Sequence, residues 1–189
     1  MRRQHLDPCQ PLGRRRPQKA AEGEPEDHAL GRSRGGFTTK LHLLTDASGL
    51  PLAVYLTAGQ RHESRAFGSL MRAVRLPRTR GRPRTRPKRL LGDRAYSTPA
   101  IREHCRRRGI KAVIPQRRDE IRRRRRGRPL AFDAAAYRKR NAAERCVGWL
   151  KECRGVGTRF EKLAVSFLAA VKLAGVRLLL RRLRPSDRT

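Results

Sequence analysis

The pattern of apolar and polar positions divides the chain unevenly. Over residues 1–36 Pro, Gly, Arg and Glu recur with no sustained period of two or 3.6, so this stretch is predicted to be mostly irregular. From Thr38 the pattern changes. Thr38-Thr39-Lys40-Leu41-His42-Leu43-Leu44 is strand-like, Asp46-Ala47-Ser48-Gly49 supplies turn residues, and Pro51-Leu52-Ala53-Val54-Tyr55-Leu56 is a second strand-like run. Two such runs around a short turn predict a β-hairpin. Ser64 is then expected to N-cap a short helix reaching Leu70 to Val74.

Further along, Arg89-Leu90-Leu91-Gly92-Asp93 reads as a buried strand ending in a carboxylate. Thr98 and Pro99 open a helix, Thr as N-cap and Pro in the first turn, and Gly109 closes it. Lys111-Ala112-Val113-Ile114-Pro115 is another short strand. Strand, helix and strand at this spacing predict a βαβ unit with a parallel pair. Asp133 is predicted to cap a long helix running to about Cys153, with Ala136, Ala143, Val147 and Leu150 as its buried stripe. A last helix is predicted over roughly Lys162 to Leu183, apolar at Leu163, Phe167, Val171, Ala174 and Leu178. No internal repeat is visible. Hairpin, helix, βαβ and two helices predict a mixed α/β layer fold.

At 189 residues the chain has room for one domain with a real core, although a 5% aromatic fraction leaves few large anchors. Charge alters the picture more. With 48 Lys and Arg against 16 Asp and Glu the formal charge is +32. Self-repulsion on that scale opposes a compact monomer and points to a polyanionic partner. Nucleic acid fits best, because each cation that neutralises a phosphate releases condensed counterions. The charge concentrates in a basic loop at 72–90, with nine Arg or Lys and no acid, and in a second at 117–128, which includes Arg122 to Arg126 in succession.

The four cysteines, Cys9, Cys105, Cys146 and Cys153, form no Cys-x-x-Cys pair and no zinc spacing. They read as reduced thiols of a cytoplasmic, nucleoid-associated protein. Residues 1–30 hold no apolar run of signal-peptide type. Leu163 to Leu180 is interrupted by Lys172 and Arg177, whereas a membrane span takes about 18–20 apolar residues, so no membrane partner is expected.

Two acidic positions carry candidate chemistry. Asp93, at the end of a buried strand and before a helix, stands where open α/β sheets place ligand groups; the plainer alternative is a local turn or an ion pair with Arg94. On one continuous helix from Asp133, at about 100° per residue, Tyr137, Arg140, Glu144 and Lys151 fall within an arc of roughly 60° bordering the apolar stripe. A carboxylate anchored in this way suits a hard cation that takes oxygen ligands. Cations on the same face can meet the phosphates that such a metal activates. Here the plainer alternative is an ordinary helix in which Glu144 pairs with Arg140 one turn earlier.

Together these segments resemble insertion-sequence transposases of the DDE superfamily. That family's hallmark is Tyr-x2-Arg-x3-Glu-x6-Lys, and Tyr137, Arg140, Glu144 and Lys151 match it at every spacing. Leu91-Gly92-Asp93-Arg94-Ala95-Tyr96-Ser97 resembles its second-aspartate segment, and Ala29-Leu30-Gly31-Arg32-Ser33-Arg34-Gly35-Gly36-Phe37-Thr38-Thr39-Lys40 resembles the lead-in to its second strand. The resemblance spans about residues 26–183. It implies a ribonuclease H-like mixed sheet flanked by helices, with residues 1–30 irregular, 31–184 a partial catalytic domain and 185–189 a tail. It implies Mg²⁺ or Mn²⁺ held by Asp93 and Glu144 as second and third catalytic acids. Arg140, Lys151, Tyr137, Arg94, Arg32 and Arg34 would lie near DNA phosphates. The implied activity is cleavage of transposon-end DNA and transfer to target DNA, within a homo-oligomer or beside a full-length transposase.

The first aspartate of the family lies on a β-branched strand before the Gly-Arg-Ser-Arg-Gly segment. Upstream of Gly31 the acids are Asp7, Glu22, Glu24, Glu26 and Asp27. Asp7 is followed by Pro8 and has no β-branched neighbours, which is poor strand material. The remaining four are loop-like, and Asp46 sits in the hairpin turn. The expectation is therefore a truncated or frameshifted catalytic domain lacking its first strand, with an exposed sheet edge and little or no turnover. Its alternative is a DNA-binding remnant or an inhibitory partner. His62 and Glu63 read as a helix start, His104 and Cys105 as partly buried structural groups, and Trp149 as a core anchor.

Overall fold

A computed structural model describes residues 28–33, 36–76, 78–123 and 132–183 of the protein. The elements form a mixed α/β architecture. Contacts divide it into two compact units, Met1–Arg61 with Ala143–Thr189, and His62–Ala142. The chain therefore enters the second unit after Arg61 and leaves it after Ala142.

In the first unit, β1 (Gly31–Ser33), β2 (Gly36–Thr45) and β3 (Pro51–Ala58) form an antiparallel sheet in the order β1-β2-β3. The predicted hairpin is present, and each strand is longer than the pattern indicated. Its turn is built by Asp46, whose Oδ1 accepts from Ser48 N at 2.9 Å and Leu50 N at 2.8 Å, and by Gly49 at φ 88°. That left-handed backbone suits glycine. Strand β1, unforeseen, pairs Gly31 with Thr38 and Arg32 with Phe37.

Register places Leu41 opposite Leu56 and Leu43 opposite Val54, so these four share a face. They pack on a core made by α5 (Asn141–Lys151), α6 (Arg154–Gly157) and α7 (Ala164–Leu183), namely Cys146, Leu150, Val156, Phe167, Val171, Ala174 and Leu178. Each Leu, Val and Phe among them contributes about 1.5–3 kcal/mol by leaving water. Trp149 packs against this core as expected. Helix α7 buries the predicted stripe, with Leu163 just before its start. Among the described residues no helix is long and apolar enough to cross a membrane.

In the second unit a 3₁₀ turn at Glu63–Ala66 leads into α1 (Phe67–Ala73). The cap here corrects the expectation for Ser64. His62 is the N-cap, its Nδ1 accepting from Ser64 N at 3.3 Å, because a ring nitrogen two residues upstream reaches the first free N–H. Glu63 lies in the first turn, where the helix dipole favours an acid.

The βαβ prediction holds. β4 (Arg89–Leu91) and β5 (Lys111–Val113) pair in parallel, Leu90 opposite Ala112, and α2 (Pro99–Arg107) connects them. Thr98 caps α2 by accepting from Ile101 N at 3.3 Å, and Gly109 turns the chain at φ 59°. His104 meets Phe67 edge to face at 5.2 Å, and Cys105 is buried.

Two expectations need correction in this part of the chain. The second basic stretch begins as a helix, α3 (Arg118–Arg123), with Asp119 and Glu120 in its first turn; its remainder, 124–128, lies outside the described residues. The long helix from Asp133 is broken. α4 (Ala134–Arg138) is capped by Asp133 Oδ1 accepting from Ala136 N at 2.9 Å, then Lys139 and Arg140 form a turn before α5. Lys139 N bonds Ala136 O, Arg140 N bonds Tyr137 O and Ala142 N bonds Lys139 O, all three-residue spans that tighten the backbone beyond an α-helix. The buried stripe of α5 shifts accordingly to Ala142, Cys146 and Leu150, while Ala143 and Val147 are half-buried.

Candidate active site

Asp93 follows β4 by two residues and stands at the carboxyl end of the parallel pair. Gly92 N still bonds Val113 O at 3.3 Å, so the backbone is held up to the acid. Asp93 then N-caps a 3₁₀ turn, Arg94–Tyr96, through Oδ1 accepting from Ala95 N at 2.9 Å. Oδ2 accepts no hydrogen bond from a described residue. The local-turn reading is thus met by Oδ1 alone. Arg94 is exposed and makes no ion pair with Asp93 among the described residues. Burial pushes the Tyr96 hydroxyl above the ordinary tyrosine range, with the negative charges of Asp93 and Glu63 adding to the effect.

Behind this turn lies a polar network with no local sequence signal. Ser97 is fully buried; its Oγ donates to Glu120 Oε2 at 2.6 Å and accepts from Arg102 Nη2 at 2.8 Å. Arg102 Nη2 also donates to Ile114 O at 3.0 Å, just past β5. Glu120 Oε2 accepts from Arg117 N at 3.3 Å as well. Arg117 Nε lies 3.4 Å from Glu120 Oε1, yet neither atom has a hydrogen-bond partner, so their attraction is Coulombic and misaligned. The network clamps the segment after Asp93 to β5 and α3.

The Tyr-Arg-Glu-Lys residues fall on three pieces of backbone. Tyr137 is on α4, with Phe132 at 5.3 Å ring to ring, and Arg140 in the turn stacks over the Tyr137 ring at 5.5 Å. Glu144 and Lys151 lie on α5, in its first and last turns, where the helix dipole favours each charge. Both are half-buried. The continuous 60° arc is therefore interrupted at Lys139–Arg140, and only Glu144 and Lys151, two turns apart, share one regular helix. Gly157 abuts the end of α5: a Cβ there would lie 2.8 Å from Lys151 O.

Of the remaining predicted contacts, Arg32 is exposed and stacks over Phe37 at 5.4 Å. Arg34 lies outside the described residues, as do Cys9, Asp7 and the acids from Glu22 to Asp27. Asp46 is engaged in its turn. Among the described residues no three of His, Cys, Asp and Glu are gathered as metal ligands.

One buried cation went unsuspected. Arg159, 6% exposed, donates to the carbonyls of His28 at 2.9 Å, Lys162 at 2.8 Å and Glu161 at 2.9 Å, to the Thr39 hydroxyl, and stacks over Phe167 at 5.1 Å. It fastens the start of the described chain to the segment before α7. Nothing in Gly157-Thr158-Arg159-Phe160-Glu161 distinguishes it from the many solvated arginines; the aromatic neighbour Phe160 is the faintest of hints.

No solved structure matches the chain. The family described as "Transposase DDE domain" matches residues 13–179, beginning upstream of Gly31. A curated protein of Burkholderia cepacia, titled "Putative transposase for insertion sequence element IS402", is 33% identical over 159 residues, which cover 84% of this chain and 69% of that protein. The Asp93 segment and the Tyr-Arg-Glu-Lys spacing fall inside both kinds of likeness, and the chain belongs to the DDE transposase family.

Proposed function

We propose that the chain acts on DNA in transposition, by metal-dependent strand cleavage and strand transfer, on a ribonuclease H-like fold. The observation that carries this reading is Asp93: a carboxylate at the carboxyl end of a parallel strand pair, backbone-anchored through one oxygen and without a hydrogen bond from a described residue at the other. The Tyr137–Lys151 spacing and the family support it.

Asp93 and Glu144 are the residues that would hold Mg²⁺ or Mn²⁺. Their chemistry fits, since hard cations prefer carboxylate oxygens and Asp93 Oδ2 is available. Bound metal would supply charge neutralisation at the attacking and leaving oxygens of phosphoryl transfer. The chain's own part is binding and orientation. The capped turn fixes the Asp93 carboxylate, and the Ser97–Glu120 network keeps that turn from shifting. Arg140, Lys151 and Arg94 present cations to phosphates, Tyr137 supports the Arg140 plane, and Arg32 and Arg34 add contacts upstream. Phosphate contacts of this kind position DNA without reading its sequence. The DNA partner comprises transposon ends and target, bound by a homo-oligomer or together with a full-length transposase.

A second reading, DNA binding without cleavage, is favoured by Asp46. This first acid among the described residues sits in the hairpin turn, its Oδ1 accepting from Ser48 N and Leu50 N, and the acids upstream of it lie outside the described residues, which leaves the first-acid position unassigned. A nicking assay on transposon-end duplex with added Mg²⁺ separates the two. Nicking that Asp93→Asn and Glu144→Gln abolish supports catalysis; nicking that survives both substitutions ends the site assignment. Salt-dependent binding with no nicking selects the second reading.

A further inference from the structure

The arginines between residues 72 and 90 fall into two classes. Some are tied down: Arg72 NH2 donates to Ser69 Oγ at 3.3 Å, Arg84 Nε to Arg86 O at 2.9 Å, and Arg86 NH1 to Arg108 O at 2.9 Å. Backbone bonds between Leu76 and Arg84, at 3.0 and 2.8 Å, close the base of a narrow excursion. At its tip the pattern reverses. Arg78, Arg80 and Arg82 are exposed and make no hydrogen bond or ion pair with any described residue. Between the last two is Gly81, at φ 84°, with nothing within 4 Å of where a Cβ would stand.

Such a tip differs from a phosphate-tracking surface. Cations that follow a backbone are spread over a face, whereas here two guanidinium groups flank a residue with no side chain at the end of a thin projection. That shape suits a groove only about 6 Å wide. In the minor groove of A·T pairs the floor presents acceptors alone, while each G·C pair inserts an amino donor that repels a guanidinium and blocks close approach. A·T tracts also narrow the groove and deepen its negative potential, which draws in Arg. Arg sheds its hydration more readily than Lys and carries several donors, so the preference belongs to arginine specifically. Gly81 lets the backbone itself approach the groove. The tetrapeptide Arg80-Gly81-Arg82-Pro83 recurs in the sequence as Arg126-Gly127-Arg128-Pro129, outside the described residues.

We propose that Arg80-Gly81-Arg82 is a minor-groove reader that gives the chain a preference for A·T-rich duplex DNA. This rests on the reading that the chain binds DNA. The test is fluorescence anisotropy of the full chain with an A·T-tract duplex and a G·C duplex of equal length at one salt concentration. Roughly tenfold tighter binding to the A·T duplex is expected, the scale of one discriminated base pair. The double variant R80K/R82K keeps the net charge, and should keep its affinity for G·C duplex while losing most of the A·T preference. R80A/R82A should in addition lower the slope of log affinity against log salt by about 1.8. Equal wild-type affinity for the two duplexes, or a preference unchanged in R80K/R82K, overturns the groove assignment and leaves DNA binding intact. Binding to neither duplex overturns the DNA reading itself.

Discussion

The Ser97 hydroxyl donates a 2.6 Å hydrogen bond to Glu120 Oε2 across 23 residues of chain. This link joins the turn that presents Asp93 to the helix that opens the second basic stretch. Cutting it should be costly, because Ser97 is fully buried and Arg102 also bonds its oxygen. Glu120→Ala is expected to lower unfolding free energy by about 1–3 kcal/mol, the cost of leaving buried polar groups unsatisfied. Urea titration checks this, and a wild-type midpoint would mean that water replaces the carboxylate without loss.

The turn cap that Asp93 provides and the metal-binding role proposed for it can be parted by substitution. Asparagine retains an oxygen for Ala95 N, so Asp93→Asn is expected to unfold at the wild-type urea concentration while failing in metal-dependent nicking. Asp93→Ala removes the cap as well and should cost about 1 kcal/mol. Equal destabilisation by both variants would show that charge, and not capping, stabilises the turn.

Arg159 should be intolerant of replacement. Arg159→Met keeps an unbranched stem but removes the guanidinium from over Phe167 and from the carbonyls of His28, Glu161 and Lys162. Loss on the order of 3 kcal/mol is expected, with faster proteolysis near residue 28. A change below about 0.5 kcal/mol, the range of ordinary surface substitutions, would contradict the network's structural role.

Stability should also fall in base. Burial pushes the Cys146 thiol from 9.0 up to about 11, and the charge of Asp46 adds to it. The unfolded thiol ionises first, so the stability this group contributes is present below pH 9 and is lost as pH rises from 9 to about 11. The loss attributable to it is on the order of 2 kcal/mol. Cys146→Ala should be weaker at pH 8 because of its cavity, but should decline less steeply above pH 9 in urea midpoints. Parallel slopes for the two proteins would rule the thiol out.

What was legible in the sequence was local. The βαβ unit announced itself through Thr98-Pro99 and Gly109, residues whose backbone chemistry starts and stops a helix. The hairpin did so through Asp46 and Gly49. Asp93 and Glu144 stood out by position and spacing. The break at Lys139–Arg140 did not, because it contains neither Gly nor Pro; three-residue backbone bonds take over between two apolar stripes that are slightly out of phase. Cys146 lies on the buried face of α5, where a free cysteine packs as a small apolar residue, and its sequence neighbours do not mark it as one. Ser97–Glu120 and Arg159–His28 were invisible for a deeper reason. Polar links across 23 and 131 residues follow no period.

The split of the chain at Arg61 and Ala142 bears on the order in which structure can arise. The unit carrying Asp93 is one continuous stretch and can close its own contacts once residue 142 has left the ribosome. Its neighbour is assembled from both ends of the chain, so the hairpin must wait, its Leu41, Leu43, Val54 and Leu56 uncovered, until α7 arrives more than a hundred residues later. Late closure of so long a loop is slow. Throughout that interval the nascent hairpin carries an uncovered apolar face, the condition under which folding chains aggregate.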